Sequence, residues 1–151
     1  MIMLSMTHLV KANDNLSAAD KKILGEQMLQ LVNGIRNNDY NYQNKSVDKI
    51  IIDFGWSPTF PVPKEYKDLI GKIKNYLDQN STSEQIINGD NSCLYNFTTW
   101  ANDNRNRFPI ATASAMGTFW RNLTNTVLNV VGTLIGRNND FSWKWIDFFK
   151  P

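Results

Sequence analysis

PIATASAMGTFWRNLTNTVLNVVGTLIG, residues 109–136, is the longest stretch of the chain with few charges. Its large apolar side chains are Phe119, Trp120, Leu123, Val127, Val131, Leu134 and Ile135. They return every three or four residues, the spacing of one face of an α-helix. The residues before them are small (Ala111, Ala113, Ser114, Ala115, Gly117), which lets neighbouring elements come close. Pro109 stands where a first helical turn tolerates a missing N–H, and Gly136, Asn138, Asn139 and Asp140 close the run. The stretch predicts a largely buried central helix.

The same reading extends outward on both sides. Residues 92–105 place Leu94, Phe97, Trp100 and Ala101 on one helical face. Residues 64–78 form the cleanest amphipathic pattern. Tyr66, Leu69, Ile70, Ile73, Tyr76 and Leu77 make its apolar stripe, and Lys64, Lys67, Lys72 and Lys74 lie elsewhere. Between these two, Ser81 or Ser83 starts a short turn through Ile86 and Ile87, and Asn88-Gly89-Asp90 stops it. Residues 46–56 fit either a short helix capped by Ser46, with Val47, Ile50, Ile51 and Phe54 inward, or a β-branched strand; the helical neighbours favour the helix. Gly55 ends this element, and the prolines of 57–63 predict a rigid, extended connector. Residues 39–45 are a polar loop with two tyrosines. Before it, Ser17 and Asp20 supply capping chemistry for a helix from Ala18 whose inner face is Leu24, Met28, Leu31, Val32 and Ile35. Gly25 weakens that helix, and Gly34 with Asn37 and Asn38 marks its end. A last aromatic helix occupies 141–150. The sum is an all-α, single-domain bundle of about six helices around the central one, with 1–16 irregular and 17–151 the domain.

The 151-residue chain is long enough to bury a core without disulfides or metals. Sixteen basic residues against fourteen acidic ones leave a net charge of +2, which does not favour a nucleic-acid binder. The start, MIMLSMTHLV, lacks a basic n-region, and polar residues interrupt every window long enough to span a bilayer. The chain reads as soluble, cytoplasmic or secreted without a recognisable signal peptide. Asparagine is frequent, with clusters at Asn37–Asn38 and Asn138–Asn139, a bias that AT-rich codons produce.

Catalytic chemistry finds little purchase. One histidine, His8, and one cysteine, Cys93, do not make an ordinary zinc site, and nothing in the sequence brings them together as a catalytic pair. No phosphate-cradling glycine loop is present, so no cofactor, metal or catalytic residue is assigned. The carboxylates Asp48, Asp53, Glu65, Asp68, Glu84, Asp90 and Asp103 read mainly as wet surface. The spacing Gly132–Gly136 allows close helix packing.

Two surfaces remain. Residues 100–107 (WANDNRNR) join Trp100 to Arg105 and Arg107, whose forked guanidinium groups suit a phosphate or a partner carboxylate. The plainer reading, which is preferred, is the C-terminal turn of a helix. Residues 141–150 (FSWKWIDFFK) carry five large aromatics, with Phe141, Trp145, Ile146, Phe148 and Phe149 on one broad face and Trp143 nearer the charged side. Such a segment serves as a lid on the core, as a surface for another protein, or as an interfacial membrane anchor, in that order. The sequence therefore predicts a non-enzymatic, effector-like protein–protein interaction domain, of the kind a microbe or virus turns on another protein. Its partner-binding residues are Trp100, Arg105, Arg107, Trp143, Trp145, Phe148 and Phe149. A membrane-active domain using 109–136 and the aromatic tail, or a small carboxylate-dependent hydrolase, are the alternatives.

Overall fold

Local signals at the helix ends explain where the chain becomes regular. The structure, a computed structural model, describes residues 16–104 and 115–135. These form six helices and, among the described residues, no strand: α1 (Ala18–Asn37), α2 (Val47–Asp53), α3 (Lys64–Asp78), α4 (Ser83–Ile87), α5 (Ser92–Asp103) and α6 (Ala115–Ile135). The all-α bundle read from the sequence is the observed architecture. The irregular start, the opening by Pro109 and the aromatic helix over 141–150 lie outside the described residues.

The orphan N–H groups of the first turns are met by side chains. Ser17 Oγ accepts from the Asp20 N–H at 3.1 Å and Ser46 Oγ from the Lys49 N–H at 3.1 Å. At α4 the cap is Thr82, neither Ser81 nor Ser83. Thr82 Oγ1 accepts from the Gln85 N–H, and Gln85 Oε1 accepts from the Thr82 N–H, at 3.2 and 2.9 Å. This reciprocal pair is a capping box written as T-S-E-Q.

The choice over 46–56 is decided by Ile52. A strand would bury Ile50 and Ile52 on one side, whereas Ile50 and Ile51 are buried and Ile52 is 46% exposed. The segment is helix α2. The connector after it is not extended throughout: the Phe60 N–H reaches the Ser57 carbonyl at 3.3 Å and closes a turn, with Trp56 and Ser57 buried. Gly34 does not end α1, which continues to Asn37. The stop falls at Asn38, whose N–H reaches back to the Gly34 and Ile35 carbonyls, and at Asp39, which takes φ 53°.

The apolar stripe of α3 is buried at every predicted position, Tyr66, Leu69, Ile70, Ile73, Tyr76 and Leu77. At the centre Trp120 stacks on Phe54 at 4.4 Å and donates its indole N–H to the Tyr66 hydroxyl at 2.9 Å. Tyr66 in turn lies 5.1 Å from the Trp56 ring and 4.9 Å from the Phe97 ring. Aromatic pairs of this kind add about 1 kcal/mol each beyond the area they bury. Burial pushes the Tyr66 hydroxyl up, so it stays protonated.

Two long helices share the centre. α6 buries Trp120, Val127, Leu128 and Val131 and packs on α1 and α5. α1 lies against α3, α4, α5 and α6. Its two internal glycines explain how. A methyl at Gly25 would strike the Ile87 carbonyl of α4, and one at Gly34 would strike Leu123 of α6. Gly34 against Leu123 and the Asn38 amide on Met116 Sδ (3.1 Å) set α6 antiparallel to α1.

Candidate functional site

Of the residues singled out from the sequence, Arg105, Arg107, Trp143, Trp145, Phe148 and Phe149 lie outside the described residues, as does His8. Trp100 is on α5 and half-buried, its ring stacked 6.0 Å from that of Phe97. The Trp100 carbonyl accepts from the Asn104 side chain at 2.9 Å and from the Asn104 N–H at 3.0 Å, which is how the last turn of α5 is closed. For Trp100 and Asn104 the plainer, helix-end reading matches the bonding.

Burial pushes the Cys93 thiol up to about 12, with Lys72 opposing more weakly. At neutral pH this is a protonated, unreactive thiol. Several carboxylates are tied to cations. Lys67 lies 3.2 Å from Asp48 and Lys64 lies 2.7 Å from Asp68. Asp90 accepts the Ser92 N–H at 3.1 Å, which holds its carboxyl below the usual range. Among the described residues no group of three or more His, Cys, Asp or Glu could hold a metal ion. In the same residues no helix is long and apolar enough to cross a membrane.

Asp53 anchors the one dense polar cluster. It accepts from the Tyr40 hydroxyl at 2.5 Å and from Lys49 and Lys45 at 2.8 and 3.3 Å. Burial works against its charge, but these hydrogen bonds outweigh burial and hold the carboxyl below its ordinary range. Burial and the same carboxylate push the Tyr40 hydroxyl up, and Lys45 Nζ sits 4.4 Å over the Tyr40 ring. The cluster pins the loop after α1 to α2, a structural task.

The concave surfaces offer more. A depression of about 550 Å³ is walled by Lys21, Leu24 and the polar turn Asn88–Ser92. A second, of about 390 Å³, lies where α1 and α6 cross. Its apolar wall is Phe119 and Leu123, one helical turn apart on α6, with Gly34 between the helices. Its frame is made of amides, Gln30, Asn33, Asn37 and Asn38, and includes no charged residue. Part of that frame is already in use: Asn33 Oδ1 accepts from Arg36 at 3.3 Å, and Arg36 also donates to the Ser81 carbonyl at 2.9 Å. Phe119 is half-buried. Side-chain amides donate and accept together, so this rim suits the polar groups of a peptide main chain.

The α1–α6 groove was not found from the sequence. Its signals were present but read otherwise. Gly34 inside a helical pattern and the Asn37–Asn38 pair were taken as a stop, whereas they line a surface. Phe119 was placed in the core stripe, and it stands at that stripe's outer edge.

No protein-family model matches the chain, and no curated protein or solved structure matches it either.

Proposed function

We propose that the protein is a non-enzymatic helical domain that binds another protein through the α1–α6 groove. The observation that carries this reading is the groove itself, an apolar floor inside an uncharged amide frame on a bundle whose core is otherwise closed. An uncharged partner segment that inserts an apolar side chain beside Phe119 and Leu123 would leave its peptide groups opposite Gln30, Asn33, Asn37 and Asn38. Trp143, Trp145, Phe148 and Phe149, with Arg105 and Arg107, are the sequence candidates for extending that surface.

A photo-crosslinking residue at the exposed Asn37 tests the reading in native-host extract, with Phe119→Lys as the competing variant. One protein captured from position 37, and lost in Phe119→Lys while the melting temperature stays within about 2 °C, supports the groove. Capture that Phe119→Lys leaves unchanged removes it. Trp143→Ala and Trp145→Ala in the same bait report whether the aromatic segment shares the surface.

A further inference from the structure

Arg121 is the second charged feature of α6 that the fold does not explain. It is 8% exposed, well inside the range of the core. One arm of its guanidinium donates to Thr118 Oγ1 at 3.2 Å, and the other, Nη1, has no acceptor. No carboxylate among the described residues lies within ion-pair distance. Two further buried polar atoms without a partner are Thr124 Oγ1 and Asn125 Oδ1. At 3.6 residues per turn, Thr118, Arg121, Thr124 and Asn125 stand on one side of α6, neighbours across successive turns. That side is away from the Phe119–Leu123 edge lining the groove.

A buried cation without a counter-charge is strongly disfavoured, and so is a buried hydroxyl left unsatisfied. Chance does not readily gather three such groups on two turns of one helix. We propose that Arg121 is the receptor for a single carboxylate, with the Thr124 hydroxyl and the Asn125 amide completing its shell. The class of ligand follows from charge and shape. One guanidinium balances one negative charge and offers paired N–H groups that match the two oxygens of a carboxylate. A phosphate dianion would leave a net negative charge in a site with no second cation. The carboxylate comes either from a molecule outside the chain or from an acidic residue beyond the described ones, of which Asp14, Asp140 and Asp147 are the side chains.

The full chain is melted against sodium acetate, with sodium chloride at matched ionic strength and sodium phosphate as the other arms. Saturable stabilisation by acetate is expected, absent in Arg121→Met and weakened about tenfold in apparent affinity in Arg121→Lys, which keeps the charge and loses the fork. Arg121→Met fills the volume without the charge, and Arg121→Lys guards against a folding defect. If the chain supplies its own acid, acetate has no effect. The triple variant Asp14→Asn, Asp140→Asn, Asp147→Asn then lowers the melting temperature, non-additively with Arg121→Met. A phosphate response exceeding that to acetate overturns the assignment of a single carboxylate. Equal responses in wild type and Arg121→Met, without coupling to the triple variant, overturn the receptor altogether.

Discussion

The two halves of α1 meet their neighbours in different ways. Near its start, Gly25 faces the main chain of α4, where a side-chain methyl would fall on the Ile87 carbonyl. Near its end, Gly34 faces the tip of a side chain, Leu123 of α6. A main chain cannot step aside without moving its whole element, whereas a leucine tip beside an open groove can change rotamer. The first joint sets the spacing of the bundle. The second is adaptable, and it borders the surface proposed to receive a partner. Identical residues on one helix therefore have unlike consequences, decided by what stands opposite.

The sharpest way to break that contrast is Gly25→Ala. Alanine is better than glycine in a helix by about 1 kcal/mol, yet the clash with α4 should outweigh this and cost about 3 kcal/mol by chemical denaturation. A neutral or stabilising result would mean that α4 is not held against α1 as described. Gly34→Ala should cost about 1 kcal/mol, because Leu123 must give way. In a Leu123→Ala background the same change should cost nothing. An unchanged cost in that double-mutant cycle would separate Gly34 from Leu123. Gly71, on α3, serves as the open control, since its nearest listed neighbour to an added methyl is Val47 Cγ2 at 4.0 Å. Gly71→Ala should gain about 0.5 to 1 kcal/mol.

The smallest effect concerns the loop that follows the adaptable end of α1. The Asp53 carboxyl lies below its ordinary range in the folded protein. Its stabilising contribution is therefore present above the unfolded value of about 4 and is lost as pH falls through the folded value. Melting curves of wild type and Asp53→Asn should differ at pH 6 and approach one another toward pH 2. Parallel curves over that window would show that the Tyr40–Asp53–Lys45 cluster does not contribute through the charge.

Much of the fold was legible residue by residue. The stripe of α3 and the caps at Ser17 and Ser46 are written within a few residues of where they act, and each was read correctly. The Thr82–Gln85 box was equally local and was missed only because the neighbouring serines drew the cap to themselves. Ile52 shows the limit of this reading. A run of β-branched residues carries no periodicity of its own, and only packing against α3 and the core selects the helix. The candidate site was less legible still. Phe119, Leu123 and Gly34 are some ninety positions apart in the chain, and no local rule joins α1 to α6. Arg121 likewise read as an interruption of an apolar run, because a cation in such a run is ordinarily turned to water.

By itself, then, the sequence determined which segments are helical, which face of each is apolar, and that a single α-helical domain results. Capping hydrogen bonds and the 3.6-residue repeat act over one or two turns, so neighbouring residues carry them. Tertiary structure alone decided that α1 shares the centre with α6, and that Gly25 and Gly34 are points of contact. It also decided that Cys93 is sheltered from ionisation and that Arg121 is enclosed. Each of these depends on which surfaces meet across long chain separations, and close packing settles that for the whole bundle at once.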